Sequence, residues 1–485
     1  MTNGIGDNQV DKLMTDARTA AGEWGKTSVE NRADRIGELR RELMDSRSSL
    51  VQCICRETGK TRAEALISDV LPTLEILQYL ENSIVDTLSA VRRKTPFIYR
   101  SSHSRVEYHP RGVVLIIGPW NNPLQLCLVP AASALAAGNA VILKPSERTP
   151  ETARLIGGLV ARTGIDGAAF QVAPGAGNVA QRLVEAQPDM IFFTGGADNG
   201  RSVLRAAAEH IIPVVLELGG KDPMIVFADA DIDRAVHAAM YGAYAHAGQH
   251  CVSTKRLYVE TTIYDEFLRR LTDQNESFTD SPEWGHVVDE KALARAKDQI
   301  HEALAAGARL LFPDRSERAG VEPTLLADVD QSLDLMQEET FAPVLAAHRF
   351  DGADEAVELA NDSPYGLNAS IWSDDVDLCN RIASQLVTGN VVANNVLTNI
   401  GNPHLPFGGV NDSGIGRYHG PEGVRCFCRT TSVMISENSA EREPNWFPHD
   451  DDRVGMVEEL INLRHGDQGL LERIKGWAKL IWKMR

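Results

Sequence analysis

The chain has 485 residues, of which 43% are apolar and 24% are charged, a balance typical of globular proteins. The net charge of −18 argues against general binding to nucleic acid, because the phosphates would be repelled. Seven cysteines without zinc-site spacing, and no apolar run of signal-peptide or membrane-span character, predict free thiols, no metal and a cytoplasmic location.

The pattern of apolar residues predicts an α/β protein. Spacings of three and four predict helices over 11–90, and the alternation over 97–108 predicts a strand hairpin. Between 112 and 220, β-branched runs such as GVVLIIGP alternate with helical stretches, which is typical of a parallel sheet covered by helices. We expect a second α/β region up to about 400, then a strand (428–437), a polar linker (438–452) and a final helix (454–485).

Two glycine-rich turns are candidate phosphate-binding sites. The stretch 175–180 fits G-x-G-x-x-A after a strand, but no acidic residue ends a following strand at the usual distance. We therefore interpret it as a tight turn before a helix. In FFTGGADNG, Gly195 and Gly200 lie where a strand ends and a helix begins, so that the free N–H groups there suit a phosphate.

Six short motifs follow one another along the chain: PWNNP (119–123), KPSE (144–147), ELGGK (217–221), GQHC (248–251), QEETFAP (337–343) and PFGG (406–409). Together they resemble the diagnostic motifs of the aldehyde dehydrogenase superfamily, over about residues 10–437. The resemblance implies oxidation of an aldehyde to the carboxylic acid with NAD, or NADP as the alternative. The Tyr418-His419-Gly420 run and the short segment before Cys251 are most similar to the class 3 branch. That branch tends to act on medium-chain, fatty and aromatic aldehydes and to form dimers.

The resemblance also assigns catalytic roles. Cys251 corresponds to the nucleophile, and a thiolate is suited to this role because it attacks a carbonyl readily and leaves again later. The amide of Asn121 and the backbone N–H of Cys251 would hold the oxyanion. Glu217 would take a proton from the water that cleaves the Cys251 thioester.

Further residues are assigned to cofactor and substrate. Lys144 and Glu147 would bind the adenosine ribose, Glu339 the nicotinamide ribose, and Glu147 favours NAD because a carboxylate repels a 2′-phosphate. The family commonly has a serine where this chain has Gly196, and the common lysine after PFGG is absent. The predicted cofactor residues are Trp120, Lys144, Glu147, Gly195, Gly196, Gly200, Leu218, Gly219, Glu339 and Phe341, and the predicted substrate pocket comprises Asn122, Gln125, Val129 and Phe407.

We expect four parts, of which the resemblance implies the first three. They are a Rossmann-like cofactor domain (1–91 and 111–218), an α/β catalytic domain (219–405), a small β bridging element that pairs strands across a dimer (92–110 and 428–437), and a C-terminal linker with a helix (438–485). In that helix Leu470, Ile474, Trp477, Ile481 and Met484 share one face, and Lys475, Lys479 and Lys483 share another. Such a basic amphipathic helix is typical of membrane-surface binding. Docking on the enzyme body or dimer partner and recognition as a targeting peptide remain open.

Two other functions stay open. One is a CoA-acylating dehydrogenase, although its members usually lack the glutamate that corresponds to Glu217. The other is a non-catalytic scaffold that associates with membranes or assemblies through the C-terminal helix. The intact set of Cys251, Glu217 and Asn121 favours catalysis over the scaffold.

Overall fold

The structure is a computed structural model that describes residues 5–99, 101–278, 287–311, 322–437, 441, 443, 446–467 and 469–483. The helices are α1 Asp7–Trp24, α2 Val29–Thr58, α3 Arg62–Ala65, α4 Leu71–Leu88, α5 Gln125–Ala136, α6 Pro150–Ala161, α7 Gly177–Glu185, α8 Ala197–Ala208, α9 Ile232–Tyr244, α10 Tyr264–Phe278, α11 Glu290–Ala305, α12 Asp334–Gln337, α13 Ala353–Asn361, α14 Val376–Ala383, α15 Gly420–Arg425, α16 Asp451–His465 and α17 Leu470–Lys483. The strands are β1 Val91–Arg93, β2 Ser102–Pro110, β3 Val113–Ile117, β4 Ala140–Lys144, β5 Phe170–Val172, β6 Met190–Thr194, β7 Val214–Glu217, β8 Asp222–Val226, β9 Thr254–Glu260, β10 Arg309–Leu310, β11 Thr324–Ala327, β12 Val344–Phe350, β13 Asn368–Trp372, β14 Asn390–Ala393, β15 Gly414–Ile415 and β16 Cys428–Ser436.

The first ninety residues are helical, as the apolar spacing predicts. The long helix α2 begins after Ser28, whose side chain accepts a hydrogen bond from the Asn31 N–H. It ends at Gly59, whose φ of +72° suits glycine. Helices α2 and α4 pack their apolar faces together, and a π-helical turn over Leu66–Val70 joins α3 to α4. Lys60, Ala65, Asp69 and Val70 are thereby buried, whereas Arg62, Ala63 and Ile67 stay exposed.

One sheet carries the first α/β region. Its order is β15-β7-β6-β3-β4-β5, and the strands from β7 to β5 are parallel. Strands β3, β4 and β6 are buried along their whole length, as expected of a sheet covered on both faces. The short β15 pairs antiparallel with β7 and sets Gly414 opposite Glu217. A segment after the predicted catalytic domain therefore completes this sheet.

A second sheet carries the region after residue 220. Its order is β10-β11-β12-β9-β8-β13-β14, with all pairs parallel except β10 with β11. Two apolar clusters, one around Tyr244 and Phe267 and the other around Met336 and Phe350, form the core here. The two sheets confirm the predicted α/β class.

The predicted hairpin over 97–108 is wrong. Residues Phe97–Tyr99 form a 3-10 turn, closed by a hydrogen bond of 2.9 Å from the Tyr99 N–H to the Pro96 carbonyl. The partner of β2 is instead β1, with Val91 opposite Val106, and β16 lies on the other side of β2. The predicted strand over 428–437 is thus present as β16.

The C-terminal residues form a helical pair rather than one final helix. Helix α16 ends at His465 and α17 begins at Leu470, and the Arg473 guanidinium donates to the carbonyls of Leu463 and Arg464. Leu463 is buried between the two helices, whose pairing leaves Leu471 and Ile474 exposed. Met484 lies outside the described residues. Among those that are described, no helix has the length and apolar character needed to cross a bilayer.

Candidate active site

A cavity of about 880 Å³ lies at the carboxyl ends of β3, β4, β6 and β7. Parallel strands end together at this edge, and the loops that follow them bring polar groups to one place. Its lining includes Trp120, Asn121, Leu126, Lys144, Glu147, Thr194, Gly195, Gly196, Glu217, Leu218, Gly219, Cys251, Arg295, Glu339 and Phe341. Three predicted catalytic residues and most of the predicted cofactor residues therefore share one cavity.

Cys251 lies just before β9, after a turn with unusual backbone geometry. His246, Ala247 and Gly248 have φ angles of 51°, 53° and 69°, in the left-handed region. At Gly248 a Cβ atom would come within 2.3 Å of the Ala342 carbonyl oxygen, so the turn accepts only glycine there. This packed turn fixes the approach of the chain to Cys251.

The surroundings of Cys251 keep its thiol protonated. Burial raises the pKa of the thiol, and the nearby carboxylates of Asp222, Glu217 and Glu339 raise it further. Ionisation of this thiol therefore requires a proton acceptor or a rearrangement when a substrate binds.

Glu217 lies at the end of β7 and lines the same cavity. Its side chain is 4% exposed, and neither carboxylate oxygen has a hydrogen-bond partner among the described residues. Burial raises the pKa of Glu217 well above its usual value, and Arg417 opposes that shift. A buried carboxylate with free oxygens and a raised pKa is suited to accept a proton near neutral pH.

The loop over 406–420 contacts the segment that carries Glu217. The Leu218 N–H donates to the Ser413 carbonyl at 3.0 Å, and a Cβ atom on Gly408 would lie 3.0 Å from the Glu217 Oε1. Tyr418 packs edge-on against Phe407, with ring centroids 5.5 Å apart. This loop therefore packs against the Glu217 carboxylate.

Asn121 lies in the loop between β3 and α5. Its Nδ2 donates to the Gln249 carbonyl at 3.0 Å, so the amide reaches the loop that carries Cys251. Trp120 contacts Phe341 edge-on, with ring centroids 5.9 Å apart, and brings the 337–343 motif to the same cavity.

The rest of the cavity fits a dinucleotide. Helix α8 begins after Gly196, and Gly195 and Gly196 line the cavity where its free N–H groups favour an anion. At Gly219 a Cβ atom would come within 2.4 Å of the Glu339 carboxylate, so the absent side chain makes room for that group. The Lys144 Nζ lies 3.4 Å from the Glu147 carboxylate at the far end.

The sequence of this chain matches a family of known proteins. Residues 2–433 match the aldehyde dehydrogenase family. The chain belongs to this family.

Its relatives include proteins named for different aldehydes. The chain is 39% identical over 469 residues to a 4,4′-diapolycopene aldehyde oxidase of Methylomonas, which covers 96% of this chain and 88% of that protein. It is 30% identical to a 4,4′-diaponeurosporen-aldehyde dehydrogenase of Staphylococcus aureus, over 90% of this chain and 95% of that protein. A crystal structure of a betaine aldehyde dehydrogenase mutant from Staphylococcus aureus with NAD⁺ matches with a TM-score of 0.84, 30% identity and coverage of 91% and 92%.

The protein is thus an NAD(P)-dependent aldehyde dehydrogenase. Of its predicted cofactor residues, Gly200 lies behind the cavity wall, where a Cβ atom would meet Leu218 at 2.5 Å. Gly200 therefore allows α8 to pack closely. The turn at Gly175 has a φ of 145° before α7, and Gly177 and Ala180 of this helix reach the cofactor cavity.

The predicted substrate residues of this aldehyde dehydrogenase are not among the residues that line the cavity. Asn122, Gln125, Val129 and Phe407 are buried, and the cavity lining includes Leu126 instead. Lys60 and Asp69, which contact the Asn121 loop, had no motif to mark them. The only sequence signal for them is that residues of opposite charge occur nine positions apart in a stretch that is predicted to be helical.

Proposed function

We propose that the protein oxidises a long apolar aldehyde to the carboxylic acid through a thiohemiacetal and a thioester on Cys251. The observation that carries this proposal is the Glu217 carboxylate, whose two oxygens are buried and without a described partner in the cavity that Cys251 also lines. Such a group can activate a water molecule. Measurement of NAD(P)H and free acid from a panel of aldehydes, with Cys251→Ala as the control, tests the proposal.

The first step joins the Cys251 sulfur to the aldehyde carbon. The thiol proton leaves to solvent through water, and the carbonyl electrons move to oxygen, so that the Glu217 carboxylate stays free for the later hydrolysis. The Asn121 amide and the Cys251 N–H then hold the oxyanion, and one such donor contributes about 2.7–4 kcal/mol of barrier lowering. The amide reaches this position because the Asn121 loop lies against Gln249.

When bound, NAD(P)⁺ supplies the hydride acceptor that turns the thiohemiacetal into a thioester. Glu217 then takes a proton from water as the water oxygen attacks the thioester carbon. The C–S bond breaks, and Cys251 leaves as a thiolate that takes the proton from Glu217, which restores both groups. The products are the carboxylic acid and the reduced cofactor.

Acyl transfer to CoA is the second candidate outcome. Glu217 favours water, since a free buried carboxylate is needed to activate water but not to activate a thiol that is itself a good nucleophile. Analysis of products with and without CoA separates the two. Acyl-CoA formation that outpaces free acid would contradict the hydrolytic proposal.

The substrate proposal rests on the names of two relatives and on an apolar residue in the cavity wall. Two relatives are named for diapolycopene and diaponeurosporene aldehydes, which are apolar molecules. The cavity that Asn121 lines has the apolar side chain of Leu126 in its wall. We therefore expect the ratio kcat/KM to rise with aldehyde chain length. A preference for short or charged aldehydes would contradict this expectation.

Peripheral membrane contact through residues 469–485 would bring the enzyme to such substrates. Leu471 and Ile474 are 74% and 57% exposed, whereas Trp477 packs on Phe97 with ring centroids 4.9 Å apart. The helix thus combines an exposed apolar part with Lys475, which suits an anionic bilayer surface. Deletion of 454–485 should abolish co-sedimentation with anionic liposomes and leave turnover of soluble aldehydes unchanged. Equal sedimentation of both proteins would contradict membrane contact.

A homodimer built through the bridging strands is the remaining part of the proposal. The sheet β1-β2-β16 leaves β1 and β16 as edge strands within the described residues. Edge strands expose unpaired backbone groups that can pair with a second copy. Sedimentation velocity should show a dimer that Thr431→Pro in β16 weakens. A monomeric wild-type protein would contradict this assignment.

A further inference from the structure

The segment over 60–70 contacts both the loop that carries Asn121 and the loop that carries Cys251. The chain turns inward at Gly59, and Lys60 follows it into the interior. Thr61 and Glu64 then cap the short helix α3 reciprocally. The π-helical turn over Leu66–Val70 buries Asp69 completely. Turns of this kind are rare and occur frequently at functional sites.

Asp69 caps a helix that lies far along the chain. Its Oδ1 accepts hydrogen bonds from the N–H groups of Leu124, at 3.1 Å, and Gln125, at 3.3 Å. These groups belong to the first turn of α5, which has no side-chain cap of its own. Because Asn121 lies three residues before Leu124, the Asp69 carboxylate fixes where the loop that carries Asn121 ends.

Lys60 connects the same carboxylate to the loop. Its ammonium group donates to the Asp69 Oδ2 at 2.6 Å, to the Ser68 Oγ at 2.8 Å and to the Asn122 Oδ1. An ammonium group has three donors, and these bonds use all of them. Lys60 therefore has no donor left for a ligand, and its role is to hold protein groups.

Asn122 carries the contact on to the Cys251 loop. Its Nδ2 lies 3.2 Å from the His250 Nδ1. Burial, with Lys60 and Lys255 as further causes, lowers the pKa of His250 to about 3, so the ring is neutral and its Nδ1 can accept this hydrogen bond. The residue before Cys251 is thereby held against the residue after Asn121.

Glu64 supports the second loop directly. Its Oε1 accepts a hydrogen bond of 2.6 Å from the His246 N–H, at the start of the left-handed pair His246 and Ala247. Backbone in this region is unfavourable for residues with side chains and persists only when its surroundings hold it. The bond from Glu64 is one such support for the turn that leads to Cys251.

We propose that Lys60, Glu64 and Asp69 together form a positioning clamp, a set of side chains that holds the two active-site loops in place. This inference rests on the proposed function. Lys60 and Asp69 align the loop that carries the Asn121 amide, and Glu64 aligns the loop that carries Cys251. None of the three touches the reacting atoms. Their contribution is the correct geometry of the oxyanion site, where a displacement of 1 Å can cost about 100-fold in rate.

A double-mutant cycle tests the clamp in the full-length enzyme. Lys60→Met should lower kcat by about 10- to 100-fold with the KM for NAD⁺ unchanged, since its contacts lie on the loop side of the cavity. In the Asn121→Ala background the same change should lower kcat by less than about threefold, because the amide that it aligns is already gone. Equal factors in both backgrounds would overturn the proposal for Lys60.

Two further variants keep the test decisive. Asn122→Leu removes the hydrogen bond from Lys60 to the loop and keeps the ion pair between Lys60 and Asp69. It therefore replaces Lys60→Met in the cycle if Lys60→Met does not fold. Glu64→Gln is the matched control from the same segment. The factor by which Glu64→Gln lowers kcat should be the same in wild type and in Asn121→Ala, since Glu64 acts on the loop that carries Cys251. Different factors in the two backgrounds would contradict the assignment of Glu64 to that loop alone.

Amide hydrogen exchange separates this inference from the proposed function. Asp69→Ala should speed exchange of the Leu124 and Gln125 N–H groups by at least about tenfold relative to wild type, whether or not any aldehyde is turned over. Unchanged exchange would refute the cap on α5. Absence of aldehyde oxidation by the wild-type enzyme, with faster exchange in the variant, would refute the proposed function and leave the alignment of the loop standing.

Discussion

Replacement of Glu217 by glutamine separates the two halves of the reaction. The change keeps the shape of the side chain and removes its ability to take a proton. The carboxylate lies in the buried cavity with Cys251, and none of its described neighbours donates a hydrogen bond to it. We therefore expect the thioester to form in the variant and to persist there.

The size of the effect follows from the role of a positioned base. General base catalysis contributes about 10²- to 10⁴-fold, which corresponds to about 2.7–5.5 kcal/mol of barrier. Burial without a compensating hydrogen bond also makes the wild-type carboxylate costly to the fold. Because the folded-state pKa of Glu217 is raised, its stabilising contribution is present below the unfolded pKa and is lost as the pH rises through the folded value. Glu217→Gln should therefore unfold at a higher temperature than wild type, and the difference should grow with pH.

Rapid mixing provides the assay. Glu217→Gln should release about one reduced cofactor per active site in a burst and then turn over at least about 100-fold more slowly than wild type. In wild type the slow step should accelerate as the pH rises through the raised pKa of Glu217, and the variant should lose this limb. Steady turnover at the wild-type rate, or a slow variant without a burst, would refute the assignment of Glu217 as the base for hydrolysis.

Three other changes have clear expected outcomes. Asn121→Ala should lower kcat by about 10²- to 10³-fold with the KM for NAD⁺ unchanged, and an equal loss in burst rate shows that the oxyanion is affected. Glu147→Gln should raise the kcat/KM ratio for NADP⁺ over NAD⁺ by at least about tenfold, as measured in paired initial-rate assays, since it removes a charge that repels the 2′-phosphate. Gly219→Ala should raise the Kd for NAD⁺ measured by calorimetry, because the added methyl group displaces the Glu339 carboxylate. Unchanged values in these assays would contradict the corresponding contacts.

The fold was predictable where local patterns are strong. The buried strands β3, β4 and β6 are continuous apolar runs, and α2 has apolar residues at helical spacing between a serine cap and a glycine stop. The prediction of a hairpin over 97–108 was wrong because Pro96 starts a 3-10 turn, which an alternating pattern does not reveal. The two-residue strand β15 is too short for any periodicity and depends on its partner β7.

The site was predictable to the extent that motifs mark it. Cys251, Glu217 and Asn121 were named from their motifs, and the structure brings all three to one cavity. The contact of Asp69 with α5 spans more than fifty residues of sequence and depends on a π-helical turn, which no spacing rule identifies. Gly200 was named for a phosphate because it starts a helix, but its place is decided by close packing against Leu218.

The covalent intermediate is the central claim, and intact-protein mass spectrometry tests it most directly. Glu217→Gln is mixed with NAD⁺ and an aldehyde, quenched in acid and weighed, and the modified peptide is then sequenced. The account predicts an added mass equal to the acyl group on Cys251, present only with both NAD⁺ and aldehyde and absent when Cys251 is also replaced by alanine. Formation of NADH with Cys251 unmodified, or with the acyl group on another residue, would contradict it.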